Sequence, residues 1–157
     1  MKNLEEIKAI VIPTCDSFDP DGIEDFNRAN TAIDFVNKNN LPKRCIIAGL
    51  GVHKDLHNYL LENTDWKIGV DINSLNSIEN ILQVFPKEVE GEYALVSFPL
   101  HLKRFRKIIN DAKKADLVSK NLEVFYVPTT QHPKWFFYEF LSNIKYHLKG
   151  KRKYFNK

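Results

Sequence analysis

"KAIVIPTCDSFDPDGIEDFNRANTAIDFVNKN", residues 8–39, decides the fold. It opens with "KAIVIPT" (8–14), apolar on consecutive positions, which suits a strand covered on both faces. After the turn-rich "CDSFDPDG", a helix is predicted over about 23–39. Phe26, Ala29, Ile33 and Val36 fall on one stripe of it, with Ala32 beside them. Strand and helix together make one β–α unit.

The unit recurs along the chain. "RCIIAGL" (44–50), "KIGVDI" (67–72), "YALVSF" (93–98) and "LEVFYVP" (122–128) read as further strands. Helical segments fall at about 53–63, 77–85, 99–115 and 133–148. Such a series predicts an α/β, three-layer, Rossmann-like fold: a mainly parallel sheet of about five strands with helices on both faces. Residues 1–148 form one expected domain, and "KGKRKYFNK" (149–157) an expected solvated basic tail. The aromatics of the last helix, Trp135, Phe136 and Phe140, are expected to pack on the sheet with Ile144.

Composition agrees with a globular domain. The chain has 157 residues, 43% hydrophobic and 27% charged, enough for one sizeable core. A net charge of +3 is too mild to indicate a nucleic-acid binder, and none is expected as partner. Runs such as "AIVIP" and "CIIAGLGV" are too short to span a bilayer, and "MKNLEEIK" does not read as a signal peptide. The expected location is cytoplasmic. Cys15 is placed at the carboxyl end of the first strand and Cys45 near the amino end of the second, so both are expected to be free thiols.

In open parallel sheets ligands bind beyond the carboxyl ends of the strands, near the switch in strand order. The loops expected there are 14–22, 49–54, 71–76, 97–101 and 128–133. Two are informative. In "DINSLNSIEN" (71–80), Asn76 and Glu79 have the spacing of a helix-capping box. Asp71, Ser74, Ser77 and Asn80 add more polar groups than a cap needs. In "SFPLHLKRFR" (97–106), a helix starting at Pro99 carries its cations where the helix dipole is already positive. Either an anionic ligand sits there or carboxylates from elsewhere neutralise the cluster. His101 and Arg104 project to one side, whereas Lys103, Arg106 and Lys107 read as a solvated face.

These two blocks together resemble the YdcF/SanA/ElyC-like family, whose members show an acidic residue, then Ser-x-Asn-Thr-x-Glu-Asn, and later a strand ending in Ser before His-x-x-Arg. "RANTAIDFV" (28–36) is similar to the Arg-x-x-x-Ala pattern of that family's first helix, and "IIAGLG" (46–51) to its glycine-rich second-strand end. The resemblance covers roughly residues 8–128. It implies a polar pocket and, as a possible cofactor, S-adenosylmethionine. The first loop, "IPTCDSFDPDG" (12–22), departs from the family's glycines, and Ser77 stands for the usual Thr.

The expected function is binding, with turnover as a further step, of a small anionic molecule that is nucleotide-like, S-adenosylmethionine-like or phosphorylated. Arg28 and Arg104 hold the anion in this reading, and His101 serves as anion donor or general acid. Ser74, Asn76 and Ser77 supply hydrogen bonds, while Glu79 and Asn80 fix the helix start. Cys15, Asp16, Gly49, Asp71 and Ser97 complete the expected site. Two other classes stay open. One is a metal-assisted hydrolase built on His53 and His57 of "HKDLH", with His101, His132, Asp16 and Asp71 in reach. That spacing is common by chance, so no metal is expected. The other is a non-catalytic sensor or interaction domain. Cys15 as a nucleophile with His101 as its base is a weaker variant.

Overall fold

The computed structural model describes residues 4–14, 23–49, 53–71, 73–74, 76–130 and 133–155. Strands β1 (Ile7–Pro13), β2 (Arg44–Ala48), β3 (Lys67–Asp71), β4 (Gly91–Ser97) and β5 (Leu122–Pro128) alternate with helices α1 (Ile23–Asn39), α2 (His53–Asn63), α3 (Ser77–Val84), α4 (Pro99–Lys114) and α5 (Pro133–Lys145). The strands form one parallel sheet in the order β3-β2-β1-β4-β5. The order reverses between β1 and β4, so the crevice for a ligand opens beyond Pro13 and Ser97.

Strand side chains alternate between two dry layers. Ile10, Ile12, Cys45, Ile47, Ala94 and Val96 face α1 and α2. Val11, Ala48 and Leu95 face the other way, toward α3 and α4. Both faces are thus covered, which is why the strands are apolar on consecutive residues. The fold is the three-layer α/β arrangement that the β–α series predicts. Cys45 is a free, buried thiol, and burial pushes its pKa up to about 12. Among the described residues no helix is long and apolar enough to cross a membrane.

The C-terminal region differs from expectation in two respects. The helix that begins at Pro133 gives way at Lys145 to a π-helical turn, Tyr146–Gly150, and then to α6 (Lys151–Phe155). Tyr146 is buried in the α3–α4 layer, and Tyr154 and Phe155 pack against it. Residues 149–155 are therefore helical and packed through Tyr154 and Phe155 rather than a solvated tail, and Lys151 pairs with Asp111 of α4 at 3.3 Å. Gly150 permits the approach, since a Cβ there would lie 3.0 Å from Ile78 Cδ1.

Helix α5 is also rotated away from the expected orientation. Phe136, Phe140 and Ile144 are exposed rather than packed on the sheet, while Glu139 is buried. Glu139 pairs with Arg104 of α4, and the Tyr146 hydroxyl donates to Asp111 Oδ2 at 2.7 Å. The Arg104–Glu139 pair turns the Glu139 face of α5 inward, and the Tyr146 contact holds the π turn that follows against α4. The side chain of Trp135 lies outside the described residues.

Candidate functional site

The chain builds a cavity of about 490 Å³ at the carboxyl edge of β1 and β4. Its floor is set by strand ends. The Thr14 amide donates to the Ala48 carbonyl at 2.8 Å, and the Gly49 amide to the Asp71 carbonyl at 3.1 Å. Gly49 has φ +126, and a Cβ at this position would lie 2.6 Å from Thr14 Oγ1. The floor thus requires glycine on two counts, backbone conformation and space.

The third loop forms one wall. Asp71 accepts hydrogen bonds from the Ser74 hydroxyl and from the Asn73 amide, which shapes the turn into α3. Asn76 is the N-cap, and its Oδ1 accepts from the amides of Ile78 and Glu79, both at 3.0 Å. Glu79 Oε1 receives the Tyr154 hydroxyl at 2.8 Å, tying α6 to the start of α3. Asn80, one turn in, is buried and lines the cavity, and its Oδ1 has no hydrogen-bond partner among the described residues. A buried acceptor left unpaired costs free energy, so a donor brought by a ligand has a place to bind there.

Helix α4 supplies the opposite wall. Phe98 caps it without a side-chain bond, Pro99 occupies its first turn, and no acidic residue lies there. His101 is buried with its ring 4.3 Å from that of Phe105. Its Nδ1 lies 2.9 Å from Ser97 Oγ and its Nε2 3.3 Å from Ser77 Oγ. Burial holds its pKa well below the ordinary histidine value, and the charges of Arg104 and Arg28 add to the effect. His101 is therefore neutral at physiological pH in the ligand-free protein, with one ring nitrogen donating and the other accepting.

Arg104 connects the two walls. Its Nη2 donates to Ser77 Oγ at 2.9 Å, and its Nη1 lies 2.9 Å from Glu139 Oε2. Arg104 and Glu139 are both buried. Burial raises the Glu139 pKa despite the opposing pull of Arg104 and Arg28, so the pair is costly to keep charged. The crowding of charge at the start of α4 is thus relieved in two ways: His101 is neutral, and a carboxylate from α5 faces Arg104.

Of the residues the sequence points to, Gly49, Ser74, Asn76, Ser77, Asn80, His101 and Arg104 line this one cavity. Ser97, Asp71 and Glu79 stand behind that lining and orient it, Ser97 through His101, Asp71 through Ser74, and Glu79 through Tyr154. Arg28 has a different task from the expected one. It is fully buried, pairs with Asp25 at 3.0 Å, donates to the Pro13 carbonyl and stacks over Phe98 at 4.2 Å. It is an anchor between α1 and the ends of β1 and β4, outside the cavity lining. Cys15, Asp16 and His132, and the side chain of His53, lie outside the described residues. Among the described residues no group of His, Cys, Asp and Glu is arranged to hold a metal ion.

The C-terminal region contributes lining that sequence reasoning missed. Glu139, Lys145, Lys149, Lys153 and Tyr154 all border the cavity. One signal was present. Glu139 is the sole acidic residue in the aromatic and basic stretch after Pro133, an isolated carboxylate of the kind that a buried arginine needs. Among the described residues the cavity wall thus carries four cations, Arg104 and the three lysines, against one carboxylate. The chain matches no family profile, no curated protein and no solved structure.

Proposed function

We propose that this cavity binds a small anionic molecule, phosphorylated or nucleotide-like, with its anion at the start of α3 and α4. The observation that carries the reading is the convergence of Arg104, Ser77 and neutral His101 at the N-terminus of α3, inside a wall with an excess of cations. Helix N-termini and guanidinium groups both favour oxyanions. The unpartnered Oδ1 of Asn80 adds a requirement for a donor on the ligand, such as a hydroxyl or amine near the anion. Membership of the YdcF/SanA/ElyC-like family is part of the same proposal and rests on the sequence blocks alone.

S-adenosylmethionine fits less well. Its sulfonium would bring a further positive charge beside Arg104 and the lysines, and among the described residues no carboxylate other than Glu139 lines the cavity to receive it. If turnover follows binding, the Ser77 hydroxyl and the neutral His101 imidazole are the groups placed to exchange a proton with the ligand.

Thermal melting tests the binding. Phosphate, sulfate or a nucleotide should raise the Tm above that seen with chloride at matched ionic strength, by roughly 2.7 kcal/mol of stabilisation at a hundredfold excess over Kd. Arg104→Met should remove most of this shift. Equal effects of phosphate and chloride, or an undiminished shift in the variant, would reject the site.

A further inference from the structure

The outward face of α5 is the most apolar exposed surface described in the molecule. Phe136, Phe137 and Leu148 are 60%, 67% and 65% exposed, and Phe140, Leu141 and Ile144 are exposed between them. Positions 137, 140, 141, 144 and 148 recur at helical spacing, so they form one continuous stripe from α5 into the π turn. Monomeric soluble proteins rarely leave such a patch uncovered.

The same stretch is strongly basic. Residues 133–155 carry Lys134, Lys145, Lys149, Lys151, Arg152 and Lys153 against a single acidic residue, Glu139. Glu139 is buried on Arg104. The stripe therefore borders cations, including Lys145 and Lys149 on the cavity side, with no carboxylate of its own helix exposed beside it.

We propose that this face docks on the surface of an anionic phospholipid bilayer. The helix lies in the interfacial plane, the Phe, Leu and Ile side chains enter the boundary between headgroups and acyl chains, and the flanking cations meet lipid phosphates. The helix lies on the bilayer and does not span it, in keeping with its length and charge. Charge complementarity selects this occupant. A second copy of the chain would present the same apolar stripe but also the same cations, with no carboxylate on the face to meet them. A nucleic acid would meet the cations and could stack on Phe136, Phe137 and Phe140, but Leu141, Ile144 and Leu148 continue the stripe with aliphatic side chains on which no base stacks, whereas acyl chains accept the whole stripe. The docking does not depend on the identity of the cavity's ligand.

Vesicle co-sedimentation of the full chain tests this. Binding is expected to vesicles of phosphatidylcholine mixed with phosphatidylglycerol, and not to phosphatidylcholine alone. Phe137→Glu with Leu141→Glu should weaken it by about tenfold or more, while Arg152→Glu should weaken it several-fold. Both variants replace exposed side chains, and an unchanged cooperative melt shows that each is folded. Failure to bind the anionic vesicles overturns the proposal, as does equal binding by the Phe137/Leu141 variant, which would leave only charge adsorption. A lipid-free dimer in analytical ultracentrifugation that the same substitutions dissolve would assign the face to a second copy. Oligonucleotide binding lost in the same variant would assign it to nucleic acid. Either result overturns the lipid reading.

Discussion

Arg28 and Arg104 are both buried arginines near the carboxyl edge of the sheet, and they do opposite things. Arg28 sits at the α1 layer among fixed partners: Asp25, the Pro13 carbonyl and the Phe98 ring. Arg104 sits at the α3–α4 layer, with Glu139 on one side and a cavity on the other. A buried charge enclosed by protein groups on all sides is part of the scaffold. One that borders a polar cavity is placed to meet something else. The difference lies in the surroundings of the guanidinium, since the side chains are the same.

The comparison breaks or holds most visibly on replacing each arginine. Arg28→Met should cost about 3–5 kcal/mol in urea denaturation, because it leaves Asp25 buried without its cation. Arg104→Met should cost less, about 1–2 kcal/mol, since Glu139 already has a raised pKa and can take a proton, and water can enter the cavity. Equal losses would show that Arg104 is scaffold too.

Gly49→Ala probes the cavity floor. The positive φ and the approach to Thr14 predict a loss of roughly 1–3 kcal/mol and a weaker phosphate-induced rise in Tm. A variant as stable as the parent would mean that Thr14 simply moves aside.

The smallest expected effect concerns pH. His101 has a depressed pKa in the folded state, so its contribution to stability is complete above the ordinary histidine pKa of about 6.5 and is lost as the pH falls below it. The slope is at most about 1.4 kcal/mol per pH unit for one proton. Glu139, with its raised pKa, works in the opposite sense at acid pH, so the informative quantity is the difference between parent and His101→Gln. That difference should change between pH 6.5 and 5. A flat difference would mean that His101 can be protonated within the fold at little cost.

Much of this was legible beforehand. The strands β1 to β5 and helices α1 to α4 fall close to the positions that apolar runs and helical stripes indicate, because both signals are local consequences of two-faced burial. The polar blocks at 71–80 and 97–106 likewise reach the cavity, since in a parallel sheet every strand delivers its following loop to one edge. The C-terminal region was misread, and for a physical reason. Its aromatic stripe is a sound helical signal, but periodicity says only that one face is apolar, not that this face turns inward.

The sequence by itself determined the layered α/β fold, the edge where the cavity lies, and the residues of α3 and α4 that line it. These follow from chain-local patterning plus the geometry of β–α crossovers. Only the tertiary structure decided that Arg28 is an anchor while Arg104 lines a cavity, that His101 is neutral, and that α5 and α6 border that cavity through Glu139 and Tyr154. Each of these depends on contacts between residues far apart in the chain. A side chain's charge state and role are set by the neighbours that folding brings to it, and those neighbours leave no periodic mark in the sequence.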